Sequence, residues 1–257
     1  MPVTALKHFV EDIGRARALL VHADGLPTVG ASERLLRSDL FRSAWMFTIG
    51  ALDAYFCDAY TDLITGTLSS KSRQPSIMLP EFVHEIRFPI RAILEDYGKS
   101  NWRWRMAARK LMERENVLSL EQIKRLFNRF FRKGNKFFHD VLHEWISHSA
   151  RSNRLFAVTA AKYSVMLPSN QHEARQQAIE QLEDRFEELF QRRHDCIHNC
   201  DRPKVAPQRL DSSGTVLKVI QDVEFFVNRC DEHINAEFAI FLREIGCTPT
   251  TIAMAGY

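Results

Sequence analysis

Arg193-His194-Asp195-Cys196-Ile197-His198-Asn199 sets an arginine, four intervening residues, a histidine and an asparagine in one run. A histidine exchanges protons near neutral pH, and an arginine grips a phosphate through two donors at once. Such a pair suits acid–base chemistry at a phosphodiester without a metal: a neutral imidazole takes a proton from a hydroxyl and a guanidinium stabilises the charge that builds on phosphorus. On a regular helix Arg193 and His198 lie about 140° apart around the axis, so both reach one phosphate only if the last turn frays. His194 and His198 share a face, as do Asp195 and Asn199. The same run also reads as a plain solvated helix end, where cations meet the negative end of the helix dipole.

Other constellations compete. His194, Cys196, His198 and Cys200 alternate, and alternate residues point apart on a helix. A zinc site from Cys196, Cys200, Cys230 and His233 is geometrically open, but a buried cysteine more often behaves as a small hydrophobe. Arg132 and His139 repeat the arginine–histidine pattern loosely, with Gly134 between them, and His139 and His143 form a two-histidine half-site; a solvated basic helix explains both. The stretch 101–136 interleaves Trp102 and Trp104 with Arg103, Arg105, Arg109, Lys124, Arg129 and Arg132. It suits the steering and stacking of RNA, and equally a helix with interior tryptophans and a charged outer face. No Gly-rich phosphate loop, nucleophile elbow or His-Glu-x-x-His pattern occurs.

Long helices are needed to place these residues. Apolar spacing predicts helices over about 4–22, 32–68, 171–198 and 215–245, with a helical insert over about 80–167. The second is the most apolar, with Trp45, Phe47, Ile49, Leu52, Tyr55, Phe56, Tyr60 and Ile64 covering more than one face, so it should be buried on most sides. Ser119-Leu-Glu-Gln122 reads as a capping box. Gly134 and Asn135 punctuate the chain before a run from Phe137 to Ser147. Ser169 or Asn170 is placed to cap the helix ending near His198, and 69–80 and 201–214 read as loops. With no internal repeat, no convincing strand and no linker signal, residues 1–257 read as one all-α domain.

Composition agrees. The 257 residues are 45% hydrophobic and 26% charged, and only 10 Gly and 9 Pro argue against a many-turned β-sandwich. A net charge of +3 is too slight to establish nucleic-acid binding by itself. Five cysteines without framework spacing, no signal-peptide pattern and no apolar stretch of membrane-spanning length lead to the expectation of a reduced, cytoplasmic protein without a membrane segment.

The order of elements, a buried aromatic helix and later a long polar helix ending in Arg193–Asn199 before a proline-containing loop, resembles the HEPN ribonuclease family, most closely the RiboL-PSP-HEPN group. "RRHDCIHN" at 192–199 is the specific part: the family usually has a β-branched residue or alanine before the histidine, and Ile197 fits, while Cys196 is less usual. Residues 43–64, "SAWMFTIGALDAYFCDAYTDLI", are similar to the family's early helix, with Asp53 where it more often shows glutamate. Residues 119–162 match only in helical character. The resemblance implies an HEPN-like all-α helical bundle with additional helices in the middle of the chain, and a metal-independent endoribonuclease, without cofactor, active as a homodimer. Arg193 and His198 would be catalytic, with His194, Asp195, Asn199 and Asp53 in support. The setting implied is a toxin–antitoxin pair or anti-phage defence, with an antitoxin or defence protein as a possible partner. The alternative is a non-catalytic dimerisation or RNA-binding module of the same fold.

Overall fold

A computed structural model describes residues 3–94, 102–113, 115, 117–131, 137–138, 142–148, 152–198, 210 and 212–256. Every regular element among them is helical, so the fold is all-α. Helices α1 (Val3–Asp24) and α2 (Ala31–Arg73) are followed by α3 (Glu81–His84), α4 (Ile90–Leu94), α5 (Trp102–Met112) and α6 (Leu120–Phe127), which continues into a 3-10 turn at Asn128–Phe130. Then come α7 (Leu142–His148), α8 (Ser152–Phe156), α9 (Ala160–Ser164), α10 (Pro168–His198), α11 (Ser213–Glu244) and α12 (Pro249–Ala255). No helix among the described residues is long and apolar enough to cross a membrane.

The chain divides into two compact units, and α1, α2 and α11 contribute residues to each. One comprises Met1–Leu6, Ala54–Asp140 and Cys230–Tyr257. Its core is aromatic: Phe127 meets Phe56 and Tyr60 edge-on, and Phe130 meets Phe82, Phe238 and Phe241. Edge-to-face pairs of this kind add stabilisation beyond the area they bury. Between Tyr55 and Ile64 every α2 residue except Cys57 is buried, including Asp58 and Asp62. A helix buried on all sides can keep such acids only by pairing them, and α5 supplies the cations. Arg105 donates to Asp62, and Arg109 lies 3.9 Å from Asp58.

The other unit comprises Lys7–Asp53 and Val141–Arg229. Ile13, Ala16 and Leu20 of α1, Phe41, Trp45 and Ile49 of α2, Phe186 and Leu189 of α10, and Val223 and Phe226 of α11 form its core. The Trp45 indole N–H donates to the Leu189 carbonyl at 3.4 Å, which fixes α2 against α10. Asp222, 0% exposed, accepts from Arg154 of α8, at 2.8 and 3.0 Å from its Nε, and from Arg185 of α10 at 3.1 and 3.2 Å. One buried carboxylate thus ties three helices together.

Several element ends differ from the sequence expectation. α2 runs on to Arg73 because Ser69 and Ser70 are buried and the helix end is tied down. Lys71 donates to the carbonyls of Pro75 and Ile77 at 2.6 and 2.7 Å. α10 begins at Pro168, a residue favoured in the first turn because it lacks the N–H a helix start cannot use; Ser169 and Asn170 therefore lie inside the helix instead of capping it. In the run from Phe137, Phe137 and Phe138 form a buried turn with Phe138 at φ 77°, residues 139–141 lie outside the described residues, and Leu142–His148 is helical. Helix α12 is an addition to the expected set. Thr248 caps it by accepting from the Thr251 N–H, Pro249 follows at its first position, and Gly256 ends it at φ 90°. At α6, Ser119 does accept from the Gln122 N–H at 3.1 Å. The Gln122 side chain, however, reaches Glu115 at 2.7 Å.

Candidate active site

The buried stripe of α10 passes through Ala174, Ala178, Leu182, Phe186, Leu189 and Phe190, recurring at the three- and four-residue steps of one helix face. Arg193 stands four residues beyond Leu189 and three beyond Phe190, so it continues that inward stripe and is half-buried. The Trp45–Leu189 contact lies one α10 turn before it, and Asp53 lies about two α2 turns beyond Trp45. Asp53 is half-buried. Burial pushes its carboxyl pKa above the usual value, and the nearby Arg193 guanidinium pulls it partly back. Arg193 and Asp53 are therefore electrostatic neighbours.

The remaining residues of the run lie elsewhere on the helix. His194 and His198 are exposed, with ring centres 4.3 Å apart. The half-buried Asp195 accepts from the Gln191 side chain at 3.0 Å and so is held by its own helix. Ile197 is 47% exposed. α10 is helical through His198, so the last described turn is not frayed and Arg193 and His198 keep the separation of about 140° that regular helix geometry imposes. Asn199 lies outside the described residues. The arrangement can thus present an imidazole pair to solvent, with a half-buried guanidinium within electrostatic range of a carboxyl on a different side of the helix.

The basic stretch belongs to the other unit, and its members differ. Arg103 is exposed and packs over the Trp104 ring at 4.8 Å, and Arg109 is 55% exposed. Arg129 is exposed and Lys124 half-buried. Arg105, by contrast, is committed to the buried Asp62. Arg132 lies outside the described residues.

Among the described residues no group of three or more His, Cys, Asp and Glu side chains is placed to hold a metal ion. Cys196 is half-buried. Cys230 is fully buried, which pushes its thiol pKa well up, and His233 packs against Phe131 and Phe137. Cys200 and His139 lie outside the described residues. His143 sits with Nδ1 3.0 Å from the Tyr163 hydroxyl.

The charge clusters at Asp222 and at Asp58 and Asp62 were missed by sequence reasoning, though each carries a signal. Asp222 falls within the Val216, Val219, Val223 and Phe226 face of α11, and Asp58 and Asp62 lie in the most apolar helix. An acid inside an apolar stripe calls for a buried cation, but its identity is a matter of tertiary structure. Compared with known protein families, curated proteins and solved structures, the chain matches none.

Proposed function

We propose that this chain is an HEPN-type, metal-independent endoribonuclease acting as a homodimer, probed most directly at Arg193 and His198. The observation that carries the reading is the division of labour at the end of α10. Arg193 is half-buried beside Asp53 while His198 is exposed on the same helix. A half-buried arginine with a carboxyl in electrostatic range is more restricted than a fully exposed one and suited to meet a phosphate, and an exposed imidazole is free to exchange protons with substrate and water.

Neutral His198 accepts the proton of an RNA 2′-hydroxyl as its oxygen attacks phosphorus. The His198 of a second copy, protonated, gives its proton to the departing 5′-oxygen. The products are a 2′,3′-cyclic phosphate and a free 5′-hydroxyl, and Arg193 stabilises the extra negative charge on the phosphorane. Because one helix keeps Arg193 and His198 on different sides, the two groups meet one phosphate most simply across a two-fold axis, each copy supplying part of the site. Two-fold dimers are the commonest oligomers. Exposed Arg103, Arg109 and Arg129 are suited to steering RNA. A toxin or anti-phage defence role, with an antitoxin or defence protein as partner, fits such an activity.

The separation of Arg193 from His198 also favours a second reading, a non-catalytic dimerisation or RNA-binding module. One experiment decides between them. Purified protein is incubated with RNA in excess chelator, with product ends analysed and mass followed by light scattering. The ribonuclease reading expects a dimer and cyclic-phosphate ends that vanish in His198→Ala. A dimer that binds RNA without cutting it supports the module, and a monomer unchanged by RNA overturns both.

A further inference from the structure

We propose that His194 and His198 form a surface site for a tetragonal divalent transition metal, Cu²⁺ or Ni²⁺, held by the two imidazoles and completed by water. Both rings are exposed on one face of α10, in its last described turn. Their centres lie 4.3 Å apart with the planes inclined by 42°.

Nitrogen donors favour copper and nickel among the divalent first-row ions, copper binding such sites most tightly, and the ring spacing is compatible with that choice. A metal–nitrogen bond of about 2.0–2.1 Å, with the ring centre about 1.1 Å behind the nitrogen, sets two imidazole centres about 4.5 Å apart at a right angle and about 5.2 Å apart at a tetrahedral angle. The observed 4.3 Å matches the right angle. Cis ligands at a right angle belong to square-planar or tetragonal coordination, the geometry of Cu²⁺ and Ni²⁺ with nitrogen donors, whereas zinc favours the wider tetrahedral angle. Because both side chains are exposed, turning their nitrogens onto one point needs only rotation about the side-chain bonds. Asp195 is engaged by Gln191, so it is not needed as a ligand.

The site does not rest on the ribonuclease reading. If that reading holds, the metal occupies the His198 lone pair that would accept a proton, so metal and catalysis exclude each other. The test is a titration of Cu²⁺ into the full chain near neutral pH, followed by calorimetry and by electron paramagnetic resonance. Wild type is compared with His194→Ala, His198→Ala and His172→Ala, the last removing another exposed histidine of α10. The expected result is one Cu²⁺ with the hyperfine pattern of two imidazole nitrogens. Either pair variant should weaken it at least ~10-fold, the scale seen even for losing a supporting group at a metal site, while His172→Ala leaves it unchanged. Circular dichroism checks that each variant stays helical. Equal affinity in all four proteins, a single-nitrogen pattern, or tighter binding of Zn²⁺ than of Ni²⁺ would overturn the proposal.

Discussion

The Arg193 guanidinium acts electrostatically on the half-buried Asp53 carboxyl and offsets part of the rise in pKa that burial imposes on it. The influence runs from α10 to α2 within one unit. Because burial outweighs the arginine, the folded protein holds the Asp53 proton more tightly than the unfolded chain does. The stability this brings is complete below the model-peptide value of 3.8 and is lost as pH rises through the raised folded-state value. Asp53→Asn removes that slope. Its stability relative to wild type should therefore improve as pH rises through this window. Arg193→Ala, which removes the offsetting cation, should widen the window. Denaturant unfolding from about pH 3 to pH 7 measures both, and a pH-independent difference would sink the argument.

Activity should separate from stability at the end of α10. His198→Ala and Arg193→Ala should each slow RNA cleavage by at least ~100-fold, the scale for losing a general acid/base or a charge-stabilising group. His198→Ala should change stability by less than ~0.5 kcal/mol, since the side chain is exposed and such substitutions usually cost little. Arg193→Ala should cost more than that because Arg193 is half-buried against Asp53. Chelator should leave the wild-type rate unchanged. Cleavage assays paired with thermal melts test this; a rate that falls with chelator would point to a metal mechanism instead.

Asp222 should be a centre of stability. Asp222→Ala leaves Arg154 and Arg185 facing a site that has lost its only shared acceptor, and breaking a buried ion pair from one side costs about 3–5 kcal/mol. Arg185→Ala should cost clearly less, because Arg154 still holds the carboxylate through its Nε at 2.8 and 3.0 Å. Urea midpoints for the two variants give the comparison, and equal losses would mean that the second arginine does not share the load.

The arginines of α5 should divide by role. Arg103→Ala removes an exposed cation and should lower RNA affinity and its salt dependence, with a slope smaller by about one, at little cost in stability. Arg105→Ala should instead destabilise by about 3 kcal/mol, since it strands Asp62, which is 7% exposed, without its cation. Asp62→Asn should recover part of that loss in the double variant. Filter binding across salt concentrations, with unfolding curves alongside, distinguishes the two. An Arg105→Ala variant as stable as wild type would count against the ion pair.

Features that depend on neighbours along the chain are legible in the residues alone. The all-α class and the burial of α2 follow from the spacing of residues such as Phe56, Tyr60 and Ile64, and the Ser119 cap follows from a hydroxyl three residues before a free N–H. The shared face of His194 and His198 is likewise arithmetic on helical pitch. The Thr248-Pro249 start and Gly256 end of α12 were equally local and simply went unread. Which charges are engaged depends on contacts between helices distant in the chain. Arg103 and Arg105 are alike in sequence, yet one lies exposed over Trp104 and the other is bound to Asp62. Asp53 acquires its meaning from Arg193, far along the chain, and α2 extends past its expected end because Ser69 and Ser70 are buried. The physical reason is range. Helix propensity and periodicity act over a turn or two, whereas desolvation and pairing of charge depend on what another helix brings within a few ångströms.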